Sequence, residues 1–111
     1  MLKLVMFVKR RPDLSHEAFR EHYENVHAPL ASANMPQIIK YVRNYLAPLP
    51  NQPEPPCDCV TEMWYEDEAG LKETMAWMRS DASRELHEDE DRFMDRSAMR
   101  AFIATECETD R

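Results

Sequence analysis

The chain predicts an α+β fold of the ferredoxin-like type, βαββαβ, in which two helices cover one face of a four-stranded antiparallel sheet. Three observations lead there. Four short segments alternate apolar and polar residues, two longer segments repeat apolar residues at helical spacing, and several strands carry apolar side chains on both faces. Two helices cover only one face, so the other is expected to pack on a second copy and form a dimeric α/β barrel. The 111 residues are read as a single domain, 1–111, large enough for one core.

Leu2, Leu4, Met6 and Val8 alternate with Lys3, Val5, Phe7 and Lys9, which is the period of a first strand. Asp13 or Ser15 can then cap a helix in which Phe19, Tyr23, Val26, His27 and Leu30 form the apolar stripe, and Pro29 is expected to stop it. A short helical turn over residues 31–34 precedes a second strand at 38–46, where Ile39, Tyr41, Arg43 and Tyr45 share one face. Five prolines between Ala47 and Pro56 mark a surface connection. A third strand over 59–65 leads into a helix begun by Asp67 or Glu68 and carried by Leu71, Met75 and Met78. The charged stretch 80–91 reads as a short exposed helix, Phe93 and Met94 return to the core, and 99–105 alternates as a fourth strand.

The net charge of −7, from 21 acidic and 14 basic residues, argues against a nucleic-acid surface, and Lys9-Arg10-Arg11 is too short a basic cluster to supply one. No stretch reaches the length of a membrane span and the start runs straight into a strand, so a cytoplasmic protein is expected. The three cysteines fit reduced thiols. Cys57, Cys59 and Cys107 lack companions at metal-binding spacing. His22 and His27 fall about 140° apart on an α-helix and are not expected to share a ligand. No metal site is therefore expected.

Four stretches carry a family resemblance: Phe7-Val8-Lys9-Arg10-Arg11-Pro12-Asp13-Leu14-Ser15-His16-Glu17-Ala18-Phe19, His27-Ala28-Pro29-Leu30, Thr61-Glu62-Met63-Trp64-Tyr65, and Asp89-Glu90-Asp91-Arg92-Phe93-Met94-Asp95. The chain resembles the EthD family of dimeric α/β-barrel proteins. Similar members include a protein of alkyl-ether degradation, fungal dehydratases or decarboxylases of polyketide aromatics, and related muconolactone isomerases. The resemblance implies a homodimer, a small-molecule substrate and no metal or organic cofactor. It puts acid-base work on His27. The cysteine that contributes in the isomerases has no counterpart in register, because Cys57 and Cys59 precede the main body of the third strand.

His27 thus reads either as a general acid or base in a pocket or as a core histidine that fixes the helix end. Tyr41, Arg43 and Tyr45 could orient an oxyanion, with Tyr45 beside His27 in catalysis, or could anchor the dimer interface. Trp64 could stack on an aromatic ligand or fill the barrel, and Tyr23 lies in the stripe with His27. His16 and His87 read as solvated. Asp89, Asp91 and Asp95 read as structural carboxylates, with Asp95 expected to reach an arginine across the barrel. Two functions fit this pattern. One is a cofactor-free lyase or isomerase acting on a phenolic, lactone or polyketide-like ring. The other is an auxiliary ligand-binding dimer of a degradation pathway, including a haem-binding variant with His27 as axial ligand.

Overall fold

Alternation decides which side chains each strand turns inward, and the ladder fixes it. The computed structural model describes residues 1–111. Strands β1 (Leu2–Val8), β2 (Ile38–Tyr45), β3 (Cys59–Tyr65) and β4 (Arg100–Ala104) form an antiparallel sheet in the order β2-β3-β1-β4. This is the ferredoxin-like topology. Leu4 pairs with Met63, Met6 with Thr61 and Val8 with Cys59, while Tyr41, Arg43 and Tyr45 pair with Met63, Thr61 and Cys59 from the other side. All of these face the helices. Lys3, Val5, Phe7, Val60, Glu62, Trp64 and Phe102 take the opposite face.

One residue breaks the alternation predicted for β2. The register shifts between Ile38 and Lys40, so Ile39 is an extra residue and is half exposed, while Ile38 packs inward with Tyr41. A bulge of this kind bends a strand at its end. It moves Ile39 off the face it was expected to share with Tyr41, Arg43 and Tyr45.

The first helical segment is also longer and less regular than expected. Ser15 caps α1 (His16–His22) by accepting from the Ala18 amide at 3.0 Å. The backbone then continues through a π-helical turn at Tyr23–His27 into α2 (Ala28–Asn34), with Ala28 N–H donating to the Tyr23 carbonyl. Pro29 therefore does not stop the helix. It sits in the first turn of α2, where the bonding changes from five-residue to four-residue spacing and an absent N–H is tolerated.

Asp67 accepts from the Gly70 amide at 3.0 Å and starts α3 (Glu68–Met78); a short turn at Asp81–Ser83 leads into α4 (Arg84–Phe93). The segment 80–91, expected to be an exposed helix, instead buries Leu86, Asp89 and Glu90, while Phe93, the last residue of α4, is in the core as expected. Their spacing is that of one helical face, but two of them are carboxylates, Asp89 held by His22 and His27 from the first helical segment and Glu90 by His87 of the same helix. The exit from α4 is stitched to the end of β1: Arg11 N–H donates to the Phe93 carbonyl at 2.9 Å and Asp95 N–H to that of Lys9 at 2.8 Å. Asp95 does not reach an arginine. Its side chain caps the turn at Arg96–Ala98, accepting from the Ser97 amide and hydroxyl at 3.1 and 2.6 Å.

Phe93 is fully buried, with the rings of Phe19, Tyr23, His22 and His27 at centroid distances of 5.6, 5.1, 4.8 and 4.8 Å. Truncating a buried aromatic residue removes its transfer free energy and leaves a cavity. Phe93→Ala is expected to lower the unfolding free energy in urea by about 3–5 kcal/mol.

Candidate functional site

A cavity of about 390 Å³ lies between the inner sheet face and the helices. Fifteen of the nineteen residues around it are hydrophobic, so water inside it is poorly held and polar groups in its wall act at low dielectric. His27 is one of these groups and is 4% exposed. Its Nδ1–H donates to Asp89 Oδ2 at 2.8 Å, which fixes the tautomer, because a carboxylate only accepts. Nε2 makes no hydrogen bond within the chain. Arg10 Nε, ion-paired with Asp58 at 3.4 Å, is the one fully buried side-chain nitrogen or oxygen without a hydrogen bond, so His27 Nε2 is accessible, and it opens on the cavity.

Burial disfavours the imidazolium and pushes His27 below its ordinary value of 6.5, with the Asp89 hydrogen bond opposing that shift only in part. At neutral pH the ring is therefore uncharged, with a free lone pair facing an apolar space. Asp89 is 1% exposed. Burial alone would raise its pKa, but hydrogen bonds from His27 and His22 outweigh this and hold the carboxyl below its usual range. His22 Nε2–H donates to Oδ1 at 2.9 Å and Arg92 donates to the same oxygen at 3.2 Å. The two histidines thus share one carboxylate, which corrects the expectation drawn from α-helical spacing. The π-helical turn between them widens the helix, so residues five apart come onto one side.

Two linked phenols, Tyr23 and Tyr41, stand in the same wall as His27. Tyr23 shares a 2.7 Å hydrogen bond with Thr61 Oγ1, and Tyr41 donates to Tyr23 Oη at 3.4 Å. Burial pushes Tyr41 up to about 12 and Tyr23 well above its ordinary value, so both remain protonated donors. The other residues singled out in the sequence lie outside the cavity. Arg43 forms a two-pronged ion pair with Glu24 at 2.9 and 2.8 Å, and the Tyr45 hydroxyl donates to the same carboxylate. Arg43 holds Glu24 down at about 2. Trp64 is on the opposite sheet face, between Lys3 and Lys40 at 5.0 and 4.7 Å from its ring. Tyr41, Arg43 and Tyr45 face the helices, which removes them as interface anchors on the open face.

This arrangement can be set beside known proteins. The EthD domain model matches residues 11–97. The chain belongs to the EthD family. An ethyl tert-butyl ether d (EthD) family protein from Bacillus halodurans superposes with a TM-score of 0.70 at 25% identity, over 96% of this chain and all of that one. HapK from Hahella chejuensis gives 0.67 at 13% identity over 100% and 97% of the two chains. A dimeric protein of unknown function and ferredoxin-like fold from Bacteroides fragilis gives 0.59 at 8% identity, covering 93% of each. No curated protein sequence matches the chain. No helix is long and apolar enough to cross a membrane.

In this EthD domain no group of three or more His, Cys, Asp or Glu side chains is placed to hold a metal ion. Cys59, at the start of β3, is buried outside the cavity, and burial pushes its thiol up to about 11. The prolines and other residues of the 47–56 connection do not line the cavity. Part of that segment instead borders a separate polar hollow with His16, Arg20, Tyr45 and Asp58. Glu90, by contrast, is in the cavity wall and was not anticipated. It accepts from His87 Nδ1–H at 2.8 Å and lies 3.8 Å from Arg96 Nε. His87 Nε2–H donates to the Met78 carbonyl at 2.8 Å, so both ring nitrogens face acceptors.

That second histidine is pulled up from 6.5, first by the Met78 carbonyl and then, against burial, by Glu90. The two sites of this EthD domain impose opposite pH dependences. His27 binds fewer protons folded than unfolded, so its stabilisation is complete above pH 6.5 and is lost as pH falls through its depressed value. His87 binds more, so its stabilisation is complete below 6.5 and is lost as pH rises through its raised value. Urea midpoints across this range should show His87→Gln abolishing the alkaline loss and His27→Gln abolishing the acid-side loss.

Proposed function

We propose that this EthD protein is a small-molecule enzyme of the lyase or isomerase type, which moves a proton on a ring compound held in the cavity. The observation that carries the reading is the free Nε2 of neutral His27, presented to an apolar cavity while Asp89 holds Nδ1–H at 2.8 Å. Nε2 takes a proton from a carbon or hydroxyl next to the substrate's carbonyl. The imidazolium that forms is stabilised by the Asp89 carboxylate, and the negative charge left on the substrate oxygen by the Tyr41 hydroxyl, which turns its single proton from the long 3.4 Å contact with Tyr23 Oη to the substrate. Returning the proton at another position completes an isomerisation. Returning it to a leaving hydroxyl completes a dehydration.

This reading keeps His27, Tyr23 and Tyr41 from the sequence analysis and adds Asp89. Of the three residues offered for the oxyanion it retains Tyr41 alone, and it leaves Tyr45, Arg43 and Trp64 outside the site. It also includes a homodimer. Phe7 and Phe102 are 39% and 53% exposed on the open sheet face, with ring centroids 5.7 Å apart, and are paired across the ladder with Val60 and Val5. The Bacteroides fragilis protein with this fold is described as dimeric. Phe102→Glu is expected to yield a monomer in gel filtration, and an unchanged dimer would exclude this face.

The reaction is tested with histidine-selective NMR during titration with phenols, lactones, polyketide-like aromatics and hemin, followed by turnover assays on any ligand that moves His27. His27→Gln is expected to lose about 10²- to 10⁴-fold in kcat on such a ligand. Tyr41→Phe is expected to lose less, mainly in kcat. Full activity in His27→Gln overturns the assignment. Binding without turnover of any ligand, or a Soret band with hemin that His27→Gln removes, would make the protein a binding dimer instead.

A further inference from the structure

The cavity wall has a composition that the proposed proton transfer does not use. Every methionine of the chain except Met1 lines it, seven of eight. These thioethers come from β1, the exit of α2, β3, α3, and the segments flanking α4 and β4, so no local repeat explains their convergence. Methionine has an unbranched, polarisable side chain that fits itself to irregular partners, and its sulfur makes favourable contacts with aromatic rings. A wall of this kind suits a flat aromatic body better than a saturated one.

The charges at the wall are equally uneven. Arg79, Glu90 and the His27–Asp89 pair are the ionisable groups in contact with the cavity or directly behind it, apart from the protonated tyrosines. Glu90 is occupied by His87 and Arg96, and Asp89 by His27, His22 and Arg92. Arg79 is different. It is exposed, follows the last turn of α3 beside Met75 and Met78, and makes no ion pair or side-chain hydrogen bond with the chain, although its backbone N–H bonds the Met75 and Ala76 carbonyls. The one unengaged charge of the cavity is therefore a guanidinium at its edge, in a chain of net charge −7. A cationic ligand would find both carboxylates already taken.

We propose that the ligand of this cavity is an aromatic carboxylate, its ring against the methionine wall and its carboxylate held by Arg79. The planar fork of a guanidinium suits a carboxylate, and at the rim the pair keeps part of its hydration while the ring enters the dry interior. This inference rests on the proposed use of the cavity as a substrate site. It narrows the substrate from ring compounds in general to aromatic acids anchored away from the reacting position. Arg79 is a specificity residue here, and His27 remains the base.

Calorimetric titration of the full chain with 2-naphthoate, 2-naphthamide and decahydro-2-naphthoate tests the assignment without requiring turnover. The aromatic acid is expected to bind about fivefold more tightly than its amide at low salt, a margin that shrinks as salt is raised, and more tightly than the saturated acid. Arg79→Gln should erase the acid–amide difference, lowering the affinity of the acid far more than that of the amide. His27→Gln should leave the difference intact, so failure of the anchor and failure of the base are read in different variants. Equal affinity for acid and amide, a preference that survives in Arg79→Gln, equal binding of the saturated acid, or no binding of any of the three overturns the proposal.

Discussion

The helical layer is organised around one buried carboxylate. Asp89 cannot stay ionised inside the protein without donors, and it draws them from three places: His27 and His22 on the first helical segment and Arg92 on its own helix. Those bonds lock α4 against the first helix, set the ring plane of His27, and place both imidazoles on Phe93. The π-helical turn is the backbone's accommodation to the same constraint, since a regular α-helix would carry the two histidines to different sides. The extra residue that disrupts ideal bonding is what lets both histidines reach one anion.

Much of the fold could be read from local pattern. The alternation of Leu2, Leu4, Met6 and Val8 places them on the inner face, and Ser15 and Asp67 act as caps as their side-chain chemistry suggests. The parity of Tyr41, Arg43 and Tyr45 is also as expected, because period two holds wherever the ladder is regular. It fails at Ile39, where one bulged residue resets the count. Nothing in the side chains there announces the bulge.

The site was less legible, for a related reason. Placing His22 and His27 apart assumed 100° per residue, and the π-helical turn invalidates that assumption without any proline or glycine inside it. The 80–91 segment is rich in charge, so Leu86 with Asp89 and Glu90 at helical spacing reads as an exposed helix, and only Phe93 and Met94 beyond it read as core. Asp89 makes sense there only once His22 and His27, more than 60 residues away in the chain, are beside it. Arg43 and Tyr45 stand on the correct face, yet Glu24 claims both, and a partner 19 or 21 residues away leaves no periodic trace. The convergence of seven methionines is likewise a property of the assembled layers.

The proline-rich connection 47–56 borders a different hollow, so no long segment lies across the entrance to the main cavity. The lining residues that reach solvent there are single side chains, Met75, Arg79 and Ala101. Of these, Met75 and Arg79 have flexible side chains, which at exposed positions change rotamer in picoseconds to nanoseconds, whereas a covering loop would move far more slowly. For the proposed ligand, such a doorway would impose no gating delay of its own.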